Sequence, residues 1–276
     1  MYQVNAEILH QEKIAEKTYL IRLRCPEIAS LIRPGQFIMI RIPTGSDPLL
    51  GRPFALYDLA FDLNGVLLGI DVVYLQVGKM TCLLPNLTVG KFVEVWGPLG
   101  KPFPIFPDVK KVTFVAGGIG QTPFLTFAKQ LLGIEGYGGD VPRKMLDSVE
   151  MIYGVRNKSY FAGVSEFEKA GIQMALATDD GSMGFHGRVT QLLEQRPPTD
   201  HWYGCGPEPM LKALGDLAHE KKMPCHVSLE SPMACGLGIC FSCVVKVKTG
   251  DGWDYRRICV DGPVFDSNCL VHDLKV

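Results

Sequence analysis

The first hundred residues alternate short apolar runs with turn residues. Six runs, at residues 2–9, 18–24, 37–42, 54–59, 66–74 and 92–96, have the β-rich composition of short strands, and Pro34-Gly35, Asn64-Gly65 and Val89-Gly90 punctuate them. Turns rather than helices separate them, which predicts a six-stranded antiparallel β-barrel. After Pro107 the rhythm changes. Val112-Thr113-Phe114-Val115-Ala116 is a continuous apolar run, as expected of a strand buried on both faces, and a helical stretch at 123–132 follows it. Strands at 149–153, 173–177 and 202–203 alternate with helices at 161–170, 188–195 and 207–222, so this part reads as a Rossmann-like parallel α/β nucleotide domain. Beyond Pro224 the helical period stops. A loop rich in glycine and cysteine, a short apolar strand at 244–247 and a final turn remain, too little chain to build a core without a metal or cluster.

The expected division is therefore 1–104, 105–224 and 225–276. At roughly 150 residues per domain, a length of 276 fits two domains and a small third piece. With 47% apolar and 21% charged residues the chain can bury a sizeable core. The net charge of 28 − 29 = −1, without long runs of one sign, gives no footprint for nucleic acid or an anionic membrane surface. No apolar run approaches the roughly 18 residues of a membrane span, and the first residues lack a signal pattern, so a cytoplasmic protein is expected.

The strongest chemical signal is Cys235-Gly236-Leu237-Gly238-Ile239-Cys240-Phe241-Ser242-Cys243, followed by Cys259. Its C-x4-C-x2-C spacing with a distant fourth cysteine is that of plant-type 2Fe-2S ferredoxins. Gly236 and Gly238 leave room for backbone to wrap the core and aim N–H groups at its sulfurs. The alternative is a four-cysteine zinc staple on a non-catalytic scaffold, although zinc motifs usually pair two short knuckles. Cys225 and Cys269, outside the spacing, read as ordinary small apolar residues.

Two further turns lead from strand to helix through glycine. One runs from Ala116 through Gly117, Gly118 and Gly120 to Pro123, and the other is Gly204-Cys205-Gly206-Pro207. Each can aim backbone N–H groups at a phosphate, and two on one sheet edge favour a nucleotide cleft. Arg156 and Lys158, after the strand at 149–153, are cations that suit a 2′-phosphate, so NADP stands beside NAD.

Arg52-Pro53-Phe54, the turn Gly97-Pro98-Leu99-Gly100, the turn from Ala116 to Pro123 and the segment from Cys205 to Met210 follow one another as in the ferredoxin-NADP reductase superfamily, which the chain resembles over nearly its whole length. The tail from Glu230 to Cys240, with Cys259 and Gly262-Pro263-Val264-Phe265, is similar to the electron-transfer subunits of class B dihydroorotate dehydrogenases, and residues 177–182 also fit that pattern. The resemblance implies FAD at the junction of barrel and α/β domain. Arg52 would contact its pyrophosphate, and Pro53, Phe54, Ala55 and Leu56 would surround the flavin. Tyr74, Gly78 and Thr81 would form a second flavin segment supported by Gly97. Asp179, Cys205, Gly206 and Pro207 would join Gly117, Gly118 and Gly120 around NAD, and Cys235, Cys240, Cys243 and Cys259 would hold the 2Fe-2S cluster.

Ala55 departs from the family, which commonly has a serine there, so a backbone N–H is expected to take over its contact with the flavin. No catalytic side chain is assigned, because positioning and cofactor chemistry carry such a relay. The implied partner is an FMN-containing dihydroorotate dehydrogenase catalytic subunit, in a heterotetramer, with the apolar Leu237, Ile239 and Phe241 as docking candidates. Small subunits of related NAD(P)H-ferredoxin oxidoreductases and sulfhydrogenases share the layout and are the nearest rivals.

Overall fold

The computed structural model describes residues 1–43 and 47–271. Seven strands build the first sheet: β1 (Tyr2–Ala15), β2 (Thr18–Arg24), β3 (Phe37–Arg41), β4 (Arg52–Ala55), β5 (Asp58–Phe61), β6 (Leu67–Leu75) and β7 (Phe92–Leu99). All pair antiparallel, in the order β4-β3-β7-β1-β2-β6-β5. Two short helices, α1 (Pro26–Ala29) and α2 (Lys79–Leu83), lie in its connections.

The six expected strands become seven because the run at 54–59 changes partner in its middle. Leu56 N–H donates to Gln36 O on the β3 side at 3.3 Å, and Tyr57 N–H donates to Asp71 O on β6 at 3.1 Å. Consecutive residues thus pair with opposite edges of the sheet, which is possible only because the sheet curls until those edges approach. Ile8, Ile21, Ile40, Val72 and Val95 fill the interior of the curl.

The second sheet contains β8 (Lys111–Gly117), β9 (Ser148–Val155), β10 (Gln173–Thr178), β11 (Phe185–His186), β12 (His201–Cys205) and β13 (Cys225–Ser228), all parallel, and the antiparallel β16 (Val264–Asp266). Between β13 and β16 lies the hairpin of β14 (Val244–Thr249) and β15 (Gly252–Arg257). The order β11-β10-β9-β8-β12-β13-β16 reverses direction between β8 and β12. In open α/β sheets ligands bind beyond the carboxyl ends of the strands at such a point. Helices α3 (Phe124–Leu131), α4 (Val164–Lys169), α5 (Val189–Glu194) and α6 (Glu208–Lys221) fall inside the four expected stretches, while α7 (Ile258–Asp261) precedes β16. Cys225–Ser228 belongs to the parallel sheet, and Cys269 is exposed rather than packed as a small apolar residue.

The two sheets are locked by the connection between α3 and β9. Its Tyr137 is buried in the core of the curled sheet, and Arg33 makes a bidentate pair with Asp140 at 2.5 and 3.2 Å. Lys129 on α3 pairs with Asp58 on β5, and Asp71 beside it is held by Arg22 at 2.7 and 2.8 Å. A stack of Phe103, Phe114, Phe124, Phe127 and Tyr203 continues the packing across the linker.

At the start of β12, His201 Nε2 and His226 Nδ1 lie 2.9 Å apart, with Phe106 stacked on His201. Burial, reinforced by His226, pushes the His201 pKa down to about 4. The unfolded chain binds the proton below about pH 6.5 and the folded chain does not until near pH 4, so stability falls as pH drops through that window. We expect the unfolding free energy from denaturant titration to decline from pH 6.5 to 4, by at most about 1.4 kcal/mol per pH unit from this group, and His201→Gln to flatten the decline. Equal declines in parent and variant would remove His201 as the cause.

Candidate functional site

Two adjoining clefts open at the carboxyl ends of β8, β12 and β13. The smaller, about 600 Å³, has one wall from the curled sheet and the other from the segment after β13. Arg52, Pro53, Phe54, Ala55, Tyr74, Gly78 and Thr81, which the resemblance assigns to the flavin, line it, and so does Cys205, which the resemblance assigns to NAD. The larger, about 800 Å³, is lined by Gly117, Gly118, Asp179, Gly206 and Pro207, with Arg156 and Arg188 opposite. Leu56 does not reach the smaller cleft, because its side chain is fully buried in the core of the curl. Gly97 sits on β7, where a Cβ would press on Ile38. Gly120 backs the turn instead of lining it, against the backbone of Cys205 and Gly206.

Local geometry explains the glycines at the switch point. A Cβ on Gly206 would lie 2.9 Å from Gly117 N, and one on Gly117 would lie 2.6 Å from Met210 Sδ. The two turns can therefore touch only if both lack side chains. Gly118 has φ +56° and open space beyond its Cα, so its backbone is free to meet a ligand.

In the smaller cleft, Leu56 N–H bonds toward β3, so antiparallel alternation turns the Ala55 N–H away from β3, to the open edge of the sheet. Among the described residues Arg52 has no carboxylate partner; its guanidinium turns back onto the carbonyls of Leu50 and Gly51 at 2.9 and 3.0 Å. The Val77 and Gly78 N–H groups are taken by Thr81 Oγ1 at 3.1 Å each, which leaves those of Lys79 and Met80 in the first turn of α2 without partners among the described residues. Tyr74 Oη and Ser231 Oγ are shielded from solvent and also lack partners, although both residues line the cleft. Buried polar atoms are rarely left so, and these two fit a ligand with hydrogen-bonding edges such as a flavin.

Leu75, Val77, Ile119 and Glu230 line both clefts and mark where they meet. Glu230 has no partner among the described residues; it is exposed to the open cleft, and partial desolvation by the cleft walls raises its carboxyl pKa. Sequence reading missed Glu230 and Ser231 as lining residues. Both stand in the family-like tail from Glu230 to Cys240, where the pattern attaches no role to them.

The cysteine loop carries Cys235, Cys240 and Cys243, and α7 brings Cys259 to it. Cys235 Sγ and Cys240 Sγ are 3.3 Å apart, Cys259 Sγ bonds to Cys243, and Leu237 N–H points at Cys235 Sγ at 3.3 Å. Gly236 and Gly238 are left-handed, at φ +71° and +81°. Hydrogen bonds from Ser242 and Cys235 lower the exposed Cys240 thiol to about 6, whereas burial raises Cys259 to about 12. Four thiols in two adjacent pairs, with a backbone N–H aimed at one sulfur, fit a two-iron cluster.

This arrangement defines a class: a flavin-dependent oxidoreductase of the ferredoxin-reductase type that carries its own iron–sulfur segment. Residues 5–103 match the oxidoreductase FAD-binding domain, and residues 230–271 match the iron-sulfur cluster binding domain of dihydroorotate dehydrogenase B, which sets the zinc staple aside. The chain is 38% identical to the dihydroorotate dehydrogenase B (NAD(+)) electron transfer subunit of Geobacillus thermodenitrificans, over 96% of each chain. It is 35% identical to that of Fusobacterium nucleatum, over 96% of this chain and 95% of the relative. Among solved structures, the NADH-dependent reduced ferredoxin-NADP oxidoreductase superposes with a TM-score of 0.80 at 29% identity, covering 98% of this chain and 91% of the other. Phthalate dioxygenase reductase shares the fold, with a TM-score of 0.60 at 21% identity over 90% and 88%. The chain belongs to the family of electron-transfer subunits of dihydroorotate dehydrogenase B.

If Ser231 Oγ serves the flavin, Ser231→Ala should weaken FAD binding by about threefold to tenfold, the effect of one hydrogen bond. Fluorescence titration of flavin-stripped protein measures it, and an unchanged Kd would place the hydroxyl elsewhere.

Proposed function

We propose that this chain relays electrons between NAD(H) and a separate FMN-containing dihydroorotate dehydrogenase subunit, through FAD in the smaller cleft and a 2Fe-2S cluster on Cys235, Cys240, Cys243 and Cys259. One observation carries the reading: the smaller cleft lies between the other two sites. It shares four wall residues with the larger cleft, and its wall residue Met233 is two positions from Cys235. Bound FAD would exchange hydride with a nicotinamide on one side and single electrons with the cluster on the other.

The chain's own residues bind and orient. Arg52 and the free N–H groups of α2 face the pyrophosphate, and the Ala55 N–H, Tyr74 Oη and Ser231 Oγ meet the polar edges of the flavin. Gly117, Gly118 and Gly206 let the dinucleotide backbone approach. Asp179 takes a ribose hydroxyl and favours NAD, and Arg156 and Arg188 balance the phosphates. Glu230 bounds the place where the two ligands meet. In the three-way division 1–104, 105–224 and 225–276, β13 and β16 complete the nucleotide-binding unit. A cytoplasmic setting and a heterotetramer with the catalytic subunit belong to the same proposal; no helix among the described residues is long and apolar enough to cross a membrane.

The deciding experiment adds the two substrates separately. NADH should bleach the flavin and cluster bands of the purified chain, yet dihydroorotate should be oxidised only after the catalytic subunit is supplied. Orotate formed by the chain alone would refute the relay. Gly118→Val should keep FAD and lose reduction by NADH, since a β-branched residue is strained at φ +56° and fills the approach; rapid mixing with NADH reads the outcome.

Ile239 and Phe241 are 76% and 61% exposed on the cluster loop, and Leu237 is 39% exposed. These side chains flank the cysteines, where a partner's cofactor must come close. Ile239→Glu should weaken association with the catalytic subunit without slowing NADH-dependent dye reduction, as size-exclusion chromatography and a dye assay would show. Normal assembly would move the docking face elsewhere.

A further inference from the structure

We infer that Trp96 is a positioning residue for the cluster: its indole N–H holds Cys235 against the flavin-binding sheet and so sets electron exchange between flavin and cluster. The inference rests on the reading of Cys235 as a cluster ligand. Trp96 lies on β7, paired across the sheet with Met39 on β3. Its Nε1–H donates to Cys235 O at 3.0 Å, a contact between residues 139 positions apart. The indole N–H is the only polar group of the side chain, and in a half-buried setting it needs such an acceptor.

The neighbours of this bond make it a seat rather than a chance contact. Immediately after Cys235, Gly236 presses on the same two strands, where a Cβ would stand 2.8 Å from Met39 Cγ and 3.0 Å from Leu99 Cδ1. On its other side the indole is covered by Gly51, where a Cβ would come within 2.5 Å of Trp96 Cη2 and 3.2 Å of Cζ2. Gly51 directly precedes Arg52, whose guanidinium bonds back to the Gly51 carbonyl. One side chain is thus wedged between the strand that meets the flavin and the first cysteine of the cluster.

Support behind a ligand fixes the orientation of the ligand itself. Without the N–H bond, Cys235 would keep only the packing of Gly236 and Met233 and the loop's own hydrogen bond from Ala234 N–H to Ser242 Oγ at 3.2 Å, and the cluster would sample more positions relative to the flavin.

The test compares anaerobically purified parent, Trp96→Phe and Gly51→Ala, each with FAD and iron quantified. Trp96→Phe keeps an aromatic ring and loses only the donor and some area. It should retain FAD and iron, change the electron paramagnetic resonance line shape of the reduced cluster, and slow flavin-to-cluster transfer about threefold to tenfold, the range of one hydrogen bond. Gly51→Ala pushes the indole from the flavin side and should alter the same resonance although it touches no residue of the cysteine loop. Unchanged line shape and transfer rate in both variants would overturn the inference. If Trp96→Phe does not accumulate as folded protein, Gly51→Ala decides by the same criterion. Full cluster content in Cys235→Ser would instead overturn the ligand reading, and this inference with it.

Discussion

Lys129 reaching from α3 to Asp58 on the edge strand β5 is the contact on which both clefts depend. Burial raises the Asp58 pKa, and the lysine opposes that shift by its charge and its hydrogen bond. Both side chains are only about one-fifth exposed, so losing either would strand a charge where water reaches it poorly. Tyr137 and the Arg33–Asp140 pair back it up from the next connection. Because each cleft draws its walls from elements that this joint holds in register, a small rotation there would change the spacing of every ligand-facing group at once.

The sequence made legible whatever depends on a local rule. Gly117, Gly118 and Gly206 mark turns that can be read from strand, glycine and helix in succession, and the cysteine spacing needs no tertiary information. The strand count of the first sheet was not legible, because the switch of partner between Leu56 and Tyr57 falls within a run buried on both sides of the switch, and nothing in composition separates its halves. Cys225–Ser228 is four residues long and half polar, so its place in the parallel sheet follows from pairing with β12 and not from pattern. Leu56 and Phe54 look alike in sequence and both are buried in the curl, yet only Phe54 also reaches the smaller cleft. Ser231, Glu230 and Trp96 owe their roles to residues far away in the chain.

The cysteine loop carries backbone strain of its own. Phe241 is one of three non-glycine residues with positive φ among those described, at +56°, and it sits between Cys240 and Ser242. The left-handed conformation costs such a residue about 1–2 kcal/mol. Arg257 offsets this from outside the loop, with its guanidinium 5.3 Å over the Phe241 ring and Nη1 bonded to Gly238 O at 3.1 Å. Cys259, two residues beyond Arg257, joins the proposed ligand set from the same turn. The conformation that presents the thiols is therefore held in part by protein packing.

The pairing of Ser228 on β13 with Val264 on β16 means that everything from 229 to 263 leaves the parallel sheet and returns to it at one point. Topologically the iron–sulfur segment is a closed excursion between two neighbouring strands, not a tail. Its ends stay pinned whatever the state of the cluster, so oxidative loss of iron would free a tethered loop whose closure entropy is already met by the ladder. Reinsertion of a cluster would begin from that confined ensemble. The same layout lets the excursion lengthen, shorten or disappear in descendants of the fold without cutting the nucleotide-binding sheet that carries it.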